Sequence, residues 1–194
     1  MILPAEKIIV NLIRNLIIGR QLPTNQHGEA GRAAEDLLES IGVPINRGSG
    51  CDIQEFDWEV KTRNDSATSA QTIATIHPRD VAAYPYKQSP IYTKFRKQLR
   101  ITTSTQNTID NTIIAVDLID FDQPHVQDLI EAAYEHGRRQ IIANPDIGYT
   151  QYVGYYGYFE QTKQSSKNYD FRLSDQDMDA LIASATSTFG TLFS

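Results

Sequence analysis

Asp52, Glu59 and Lys61 lie in one short run, Cys51-Asp52-Ile53-Gln54-Glu55-Phe56-Asp57-Trp58-Glu59-Val60-Lys61-Thr62, with six residues between the two acids and one between Glu59 and Lys61. In an extended strand alternate side chains share a face, so Glu59 and Lys61 emerge together about 7 Å apart while Trp58, Val60 and Thr62 point the other way. One face is left for chemistry and the other for a core. The residues between the acids suffice for a tight turn or bulge that folds Asp52 back beside Glu59. Two carboxylates and an ammonium are the parts that hydrolysis of a phosphodiester needs: oxygen donors for a hard divalent cation, and a positive group near the attacking water.

These residues need elements to hold them. Glu6 to Gln21 carries apolar residues at 9, 12, 13, 16 and 17, a helical stripe widened by Ile8, Val10 and Ile18; it reads either as a well-buried first helix or as one sandwiched between core and partner. Beyond a polar loop at 23–28, Glu29 to Ile41 reads as a second helix that Gly42 stops. Leu37 and Leu38 should bury, and Glu39 could then reach the corner that holds Asp52. The loop Asn46-Arg47-Gly48-Ser49-Gly50 delivers the chain to the site. Ser69 to Ile76 is a further strand, 77–85 a loop or short helical turn, and Ser89-Pro90 opens a helix to about Leu99. Thr112 to Phe121 has the continuous apolarity of a central strand, and Asp122 caps a helix from Pro124 to Ala143. The alternation of strands and helices predicts an α/β domain. The tyrosine-rich run Gly148 to Phe159 reads as a hairpin covering a sheet edge, with base stacking or a protein interface as the functional alternatives. Ser174 and Asp177 open a last helix with Met178, Leu181 and Ile182 on its buried side.

Composition narrows the classes. A chain of 194 residues is long enough for one domain, 1–194, that buries about 70% of its unfolded surface. One cysteine excludes an internal disulfide, no signal-peptide pattern is present and no apolar run reaches a membrane span, so a cytoplasmic protein without membrane association is expected. The net charge of −6 argues against unaided grip on nucleic acid. Its distribution is uneven: residues 111–194 hold 5 Lys or Arg against 12 Asp or Glu, net −7, whereas 79–100 hold six basic residues against Asp80 alone, net +5. Lys94, Arg96 and Lys97 in that basic island are candidates for DNA phosphate contacts, or else form a solvated helix face. No phosphate-binding glycine loop, dinucleotide fingerprint or serine-hydrolase elbow occurs. The four histidines lack ligand spacing, and Cys51 has no evident base partner.

The run from Leu37 to Thr62 resembles the MutH mismatch-repair endonuclease and its restriction-enzyme relatives in the PD-(D/E)XK superfamily. The matching parts are Leu37-Leu38-Glu39 at a helix end, the glycine-bearing loop at 46–50, then Asp52, Glu59, Val60, Lys61 and Thr62, with Ser89 and Lys94 as the downstream serine and second lysine and Lys97 as a competitor for the latter. The resemblance covers about residues 30 to 100. It implies a restriction-endonuclease-like core, a central mixed β-sheet flanked by helices. It also implies Mg²⁺ bound by Asp52, Glu59 and the Val60 carbonyl, Lys61 at the attacking water, Glu39 supporting a second metal or Lys61, and Lys94 on a phosphate. The acidic C-terminal half shows no basic element to enter a major groove, and in this the chain resembles the small catalytic subunits of heterodimeric type IIS restriction endonucleases, which cut one strand of double-stranded DNA when a larger DNA-recognising subunit positions them. A self-sufficient homodimeric restriction enzyme, a repair nickase and a non-catalytic assembly subunit are the alternatives.

Overall fold

A computed structural model of the chain describes residues 2–23, 29–48, 50–104, 110–162 and 167–187. In chain order the elements are α1 (Pro4–Ile17), β1 (Gln21–Pro23), α2 (Glu29–Ser40), β2 (Glu59–Asn64), β3 (Gln71–Ile76), α3 (Pro78–Ala83), α4 (Pro90–Phe95), β4 (Lys97–Thr103), β5 (Asp110–Asp120), α5 (Pro124–Ala143), β6 (Tyr158–Gln161), β7 (Tyr169–Leu173) and α6 (Asp175–Ser187). The fold is mixed α/β and divides into two compact units, Met1–Ala67 with Lys97–Asp120, and Thr68–Arg96 with Phe121–Ser194.

The first unit is built on a mixed sheet of order β1-β5-β4-β2, in which β2 runs parallel to β4 and the other pairs are antiparallel. Helices α1 and α2 supply Val10, Ile13, Ile17, Ala34 and Leu38 to a core shared with Trp58, Val60, Leu99, Ile101, Ile113 and Val116. In α1 Pro4 takes the first turn, where its missing N–H costs nothing, and the Glu6 carboxylate folds back to accept the Leu3 amide at 2.6 Å. Gly19, at φ +86°, ends the helical path earlier than the periodicity predicts. The buried side of α1 is Val10, Ile13 and Ile17, so Ile8, Leu12 and Leu16 face outward at 62, 56 and 46% exposure. The sequence stripe was thus two stripes, one in the core and one outside it. Helix α2 ends as expected: Gly42 adopts φ +91° and the Val43 amide returns to the Leu38 carbonyl.

The basic helix expected from Ser89 to Leu99 is cut in two. Ser89 caps α4 through its hydroxyl, which accepts the Tyr92 amide at 3.3 Å, but the helix stops at Phe95. From Lys97 the chain is a strand because β4 pairs on both sides, with β2 and with β5, and those ladders outweigh a weak local helix signal.

The second unit holds an antiparallel sheet of order β3-β7-β6. Its packing is aromatic, with Phe95 stacked on Phe121 at 4.6 Å and Phe159 set edge-on to Phe171 at 5.1 Å. Gly137 lets α5 close on β6, since a Cβ there would lie 2.6 Å from the Phe159 ring. The predicted hairpin at 148–159 is only partly a strand. Tyr158–Gln161 forms β6, while Thr150 accepts the Phe159 amide and Tyr149 bridges Glu160, leaving Tyr152 and Val153 exposed. Ser174 caps α6 by accepting the Asp177 amide, as its spacing predicts. Among the described residues no helix is long and apolar enough to cross a membrane.

Candidate active site

Strand β2 places the site on the free edge of the first unit's sheet. Trp58 and Val60 enter the core, and alternation turns Glu59 and Lys61 to the opposite face. Glu59 is buried at 3% exposure, and the Lys61 ammonium lies 3.0 Å from its Oε1. The core side of the strand is anchored from α1, where Glu6 accepts the Trp58 indole N–H at 3.1 Å and the Lys97 ammonium at 2.7 Å.

Asp52 is brought back to Glu59 by a tight reversal. Ile53 and Trp58 form an antiparallel bridge, residues 54–56 make a single 3₁₀ turn, and Asp57 closes it in the left-handed region at φ +55°. Ahead of the turn Asn46 fastens the loop through its main chain and its side-chain amide.

 The donors and acceptors are specific: the Asn46 main-chain N–H donates to the Asp52 carbonyl at 2.7 Å, Oδ1 accepts the Gly48 N–H at 3.0 Å, and Nδ2 donates to the Cys51 carbonyl at 3.2 Å.

The Asp52 carboxylate then accepts the Val60 N–H through Oδ2 at 2.8 Å. In a strand the N–H and C=O of one residue point to the same edge, so this bond also sets the Val60 carbonyl on the open edge, beside Asp52. Asp52, Glu59 and Lys61 therefore come together as the spacing predicts, with the Val60 main chain between them.

The third carboxylate near this corner is one the sequence reading did not name. Glu35 of α2 lines an open cleft of about 410 Å³ together with Arg32, Asn46, Arg47 and Asp52. Burial, then the Asp52 carboxylate and, more weakly, Glu59 push the Glu35 carboxyl above its usual range, against the pull of Arg47. Glu39 lies one helical turn further on, is exposed, and is held by Arg47 at 2.7 Å, which also binds Asp36 at 2.5 Å. Glu35 and Glu39 share one side of α2, and only the depth at which the helix docks decides which of them is level with Asp52. Sequence spacing carries no such depth.

The basic candidates separate. Lys97 sits on β4 with its ammonium on Glu6, the two side chains only 15 and 3% exposed. Arg96 pairs with Asp122 at 2.7 Å and Lys94 lies in the last turn of α4, both in the second unit. Asp122, expected to cap α5, is engaged by Arg96, and Gln123 occupies the cap position instead. His77 caps α3 by accepting the Arg79 amide, His125 meets Ser184, and Cys51 is buried, all in agreement with structural roles.

The donor set suits a hard cation: carboxylate and carbonyl oxygens, with no sulfur or imidazole among the residues named. Among the described residues no group of three or more His, Cys, Asp or Glu side chains is arranged to hold a metal ion by itself. Mg²⁺ is commonly held by one or two carboxylates and completes its shell with water and substrate phosphate, so the pair formed by Asp52 and Glu59 fits it. No protein-family model matches this sequence, and no curated protein matches it either.

Proposed function

We propose that the chain is a Mg²⁺-dependent DNA endonuclease with a restriction-endonuclease-like core, the cleavage subunit of a two-protein restriction enzyme. The observation that carries this reading is the joint placement of Asp52, Glu59, the Val60 carbonyl and Lys61 at one sheet edge. Asp52, Glu59 and the Val60 carbonyl would hold the cation, with Glu35 rather than Glu39 as the supporting carboxylate. Bound there, Mg²⁺ supplies charge neutralisation at the scissile phosphate. Lys61 orients the attacking water and keeps positive charge beside it. Lys97 is held by Glu6 and Arg96 by Asp122, and Lys94 would contact a DNA phosphate.

Two features favour a partner that finds the DNA. The net charge of −6 is poor for unaided binding to a polyanion. The exposed stripe Ile8, Leu12 and Leu16 on α1, extended by Leu3 and Ile18, is the kind of contiguous apolar patch that marks a protein interface. The test is nicking of supercoiled plasmid in Mg²⁺, with and without the larger subunit. Wild type should nick with the partner present and Lys61→Ala should be at least 100-fold slower; equal activity of the two would refute the assignment.

A further inference from the structure

Gln98 lies on β4 directly in register with Glu59 on β2, and with Ile119 of β5 on its other side. Paired residues on neighbouring strands share a face and stand about 4.8 Å apart, so the Gln98 side chain projects beside Glu59 on the face that carries Lys61. It is fully buried, at 0% exposure, and neither Oε1 nor Nε2 has a hydrogen-bond partner among the described residues. A primary amide brings one acceptor and two donors, and leaving them unpaired in the interior costs about 1–3 kcal/mol for each group. Such a group calls for a partner beyond the described residues, such as a water or an ion.

Packing alone gives no reason for an amide at this position. Met or Leu would fill similar volume without the desolvation cost, and the opposite face of the same strand is filled by Leu99 and Ile101. What distinguishes the place is its neighbour, a buried carboxylate already paired with Lys61.

We infer that Gln98 is a positioning residue of the site, whose amide binds a water in the coordination shell of the divalent cation at Glu59. The amide oxygen accepts from that water, and the NH₂ group donates to oxygens drawn into the site with it. The carboxylate and the water are thereby fixed relative to Lys61. This inference rests on the metal-dependent reading proposed above.

The experiment compares wild type with Gln98→Met in three measurements: thermal melting without metal, Mn²⁺ titration, and steady-state nicking. Without metal the variant should melt at the same temperature or higher, because a buried unpaired amide has been removed. Its Mn²⁺ affinity should fall 10- to 100-fold, the usual loss when a group outside the ligand set is removed. Its kcat should fall by a similar factor while KM for DNA stays within twofold. Wild-type Mn²⁺ affinity and kcat in the variant would overturn the inference and leave the nuclease reading intact. A lower metal-free melting temperature would also overturn it, since the amide would then be satisfied inside the protein. Failure of wild type itself to bind Mn²⁺ would overturn both readings together.

Discussion

The Val60 amide donates to Asp52 Oδ2 at 2.8 Å, and this bond ties the turn carrying one acid to the strand carrying the other. It separates two roles of Asp52 that mutagenesis can resolve. Asp52→Asn keeps an oxygen able to accept the amide and should fold normally, yet lose metal-dependent cleavage by at least 100-fold. Asp52→Ala also loses the hydrogen bond and should be destabilised by about 1 kcal/mol more, as read by denaturant unfolding.

Glu35 makes the site sensitive to pH. Its folded pKa is raised, first by burial and then by Asp52. Its contribution to stability is therefore fully present below the unfolded carboxyl value, about 4.3, and is lost as pH rises through the higher folded value. Glu35→Gln should accordingly melt about 2–4 °C higher than wild type at neutral pH without metal, the shift expected for about 1 kcal/mol. In saturating Mn²⁺ that advantage should shrink or reverse, because the cation relieves the repulsion in wild type.

Glu6 behaves in the opposite sense. Burial alone would raise its pKa, but bonds from Lys97, the Leu3 amide and the Trp58 indole outweigh burial and hold it below the usual value. Its contribution is present above about pH 4.3 and is lost as pH falls through the folded pKa. Lys97→Ala should cost about 3 kcal/mol by leaving a buried carboxylate without its cation. If Lys97 instead served DNA phosphate, the variant would keep its stability and show a shallower salt dependence of DNA binding.

The outer stripe of α1 predicts a partner-dependent phenotype. Leu12→Glu replaces a 56% exposed apolar side chain and should leave the melting temperature within about 1–2 °C of wild type, as an exposed substitution does. Nicking should be lost only in the assay that requires the larger subunit. Gel filtration of the two proteins together reads the contact directly.

Much of the site was legible because its parts are local. The return from Asp52 to Glu59 spans a single turn, and the alternation of Trp58, Glu59, Val60 and Lys61 needs only a strand. Gly42 likewise marked the end of α2 through the φ that only glycine adopts cheaply. What the sequence hid was set by distant pairing. Residues 97–103 became a strand because β2 and β5 flank them, which took Lys97 away from the basic helix and put Gln98 next to Glu59. Spacing pointed to Glu39 while Glu35 lines the cleft with Asp52, because the two share one side of α2 and differ in how far along the helix they lie. The two apolar sides of α1 were inseparable until the core had chosen one.

The central claim is that Asp52 and Glu59 jointly hold a divalent cation, and titration of Mn²⁺ monitored by electron paramagnetic resonance measures it most directly. Wild type should bind one tight ion, with affinity reduced at least tenfold in both Asp52→Asn and Glu59→Gln, each still folded. Unchanged Mn²⁺ binding in both variants would contradict the account.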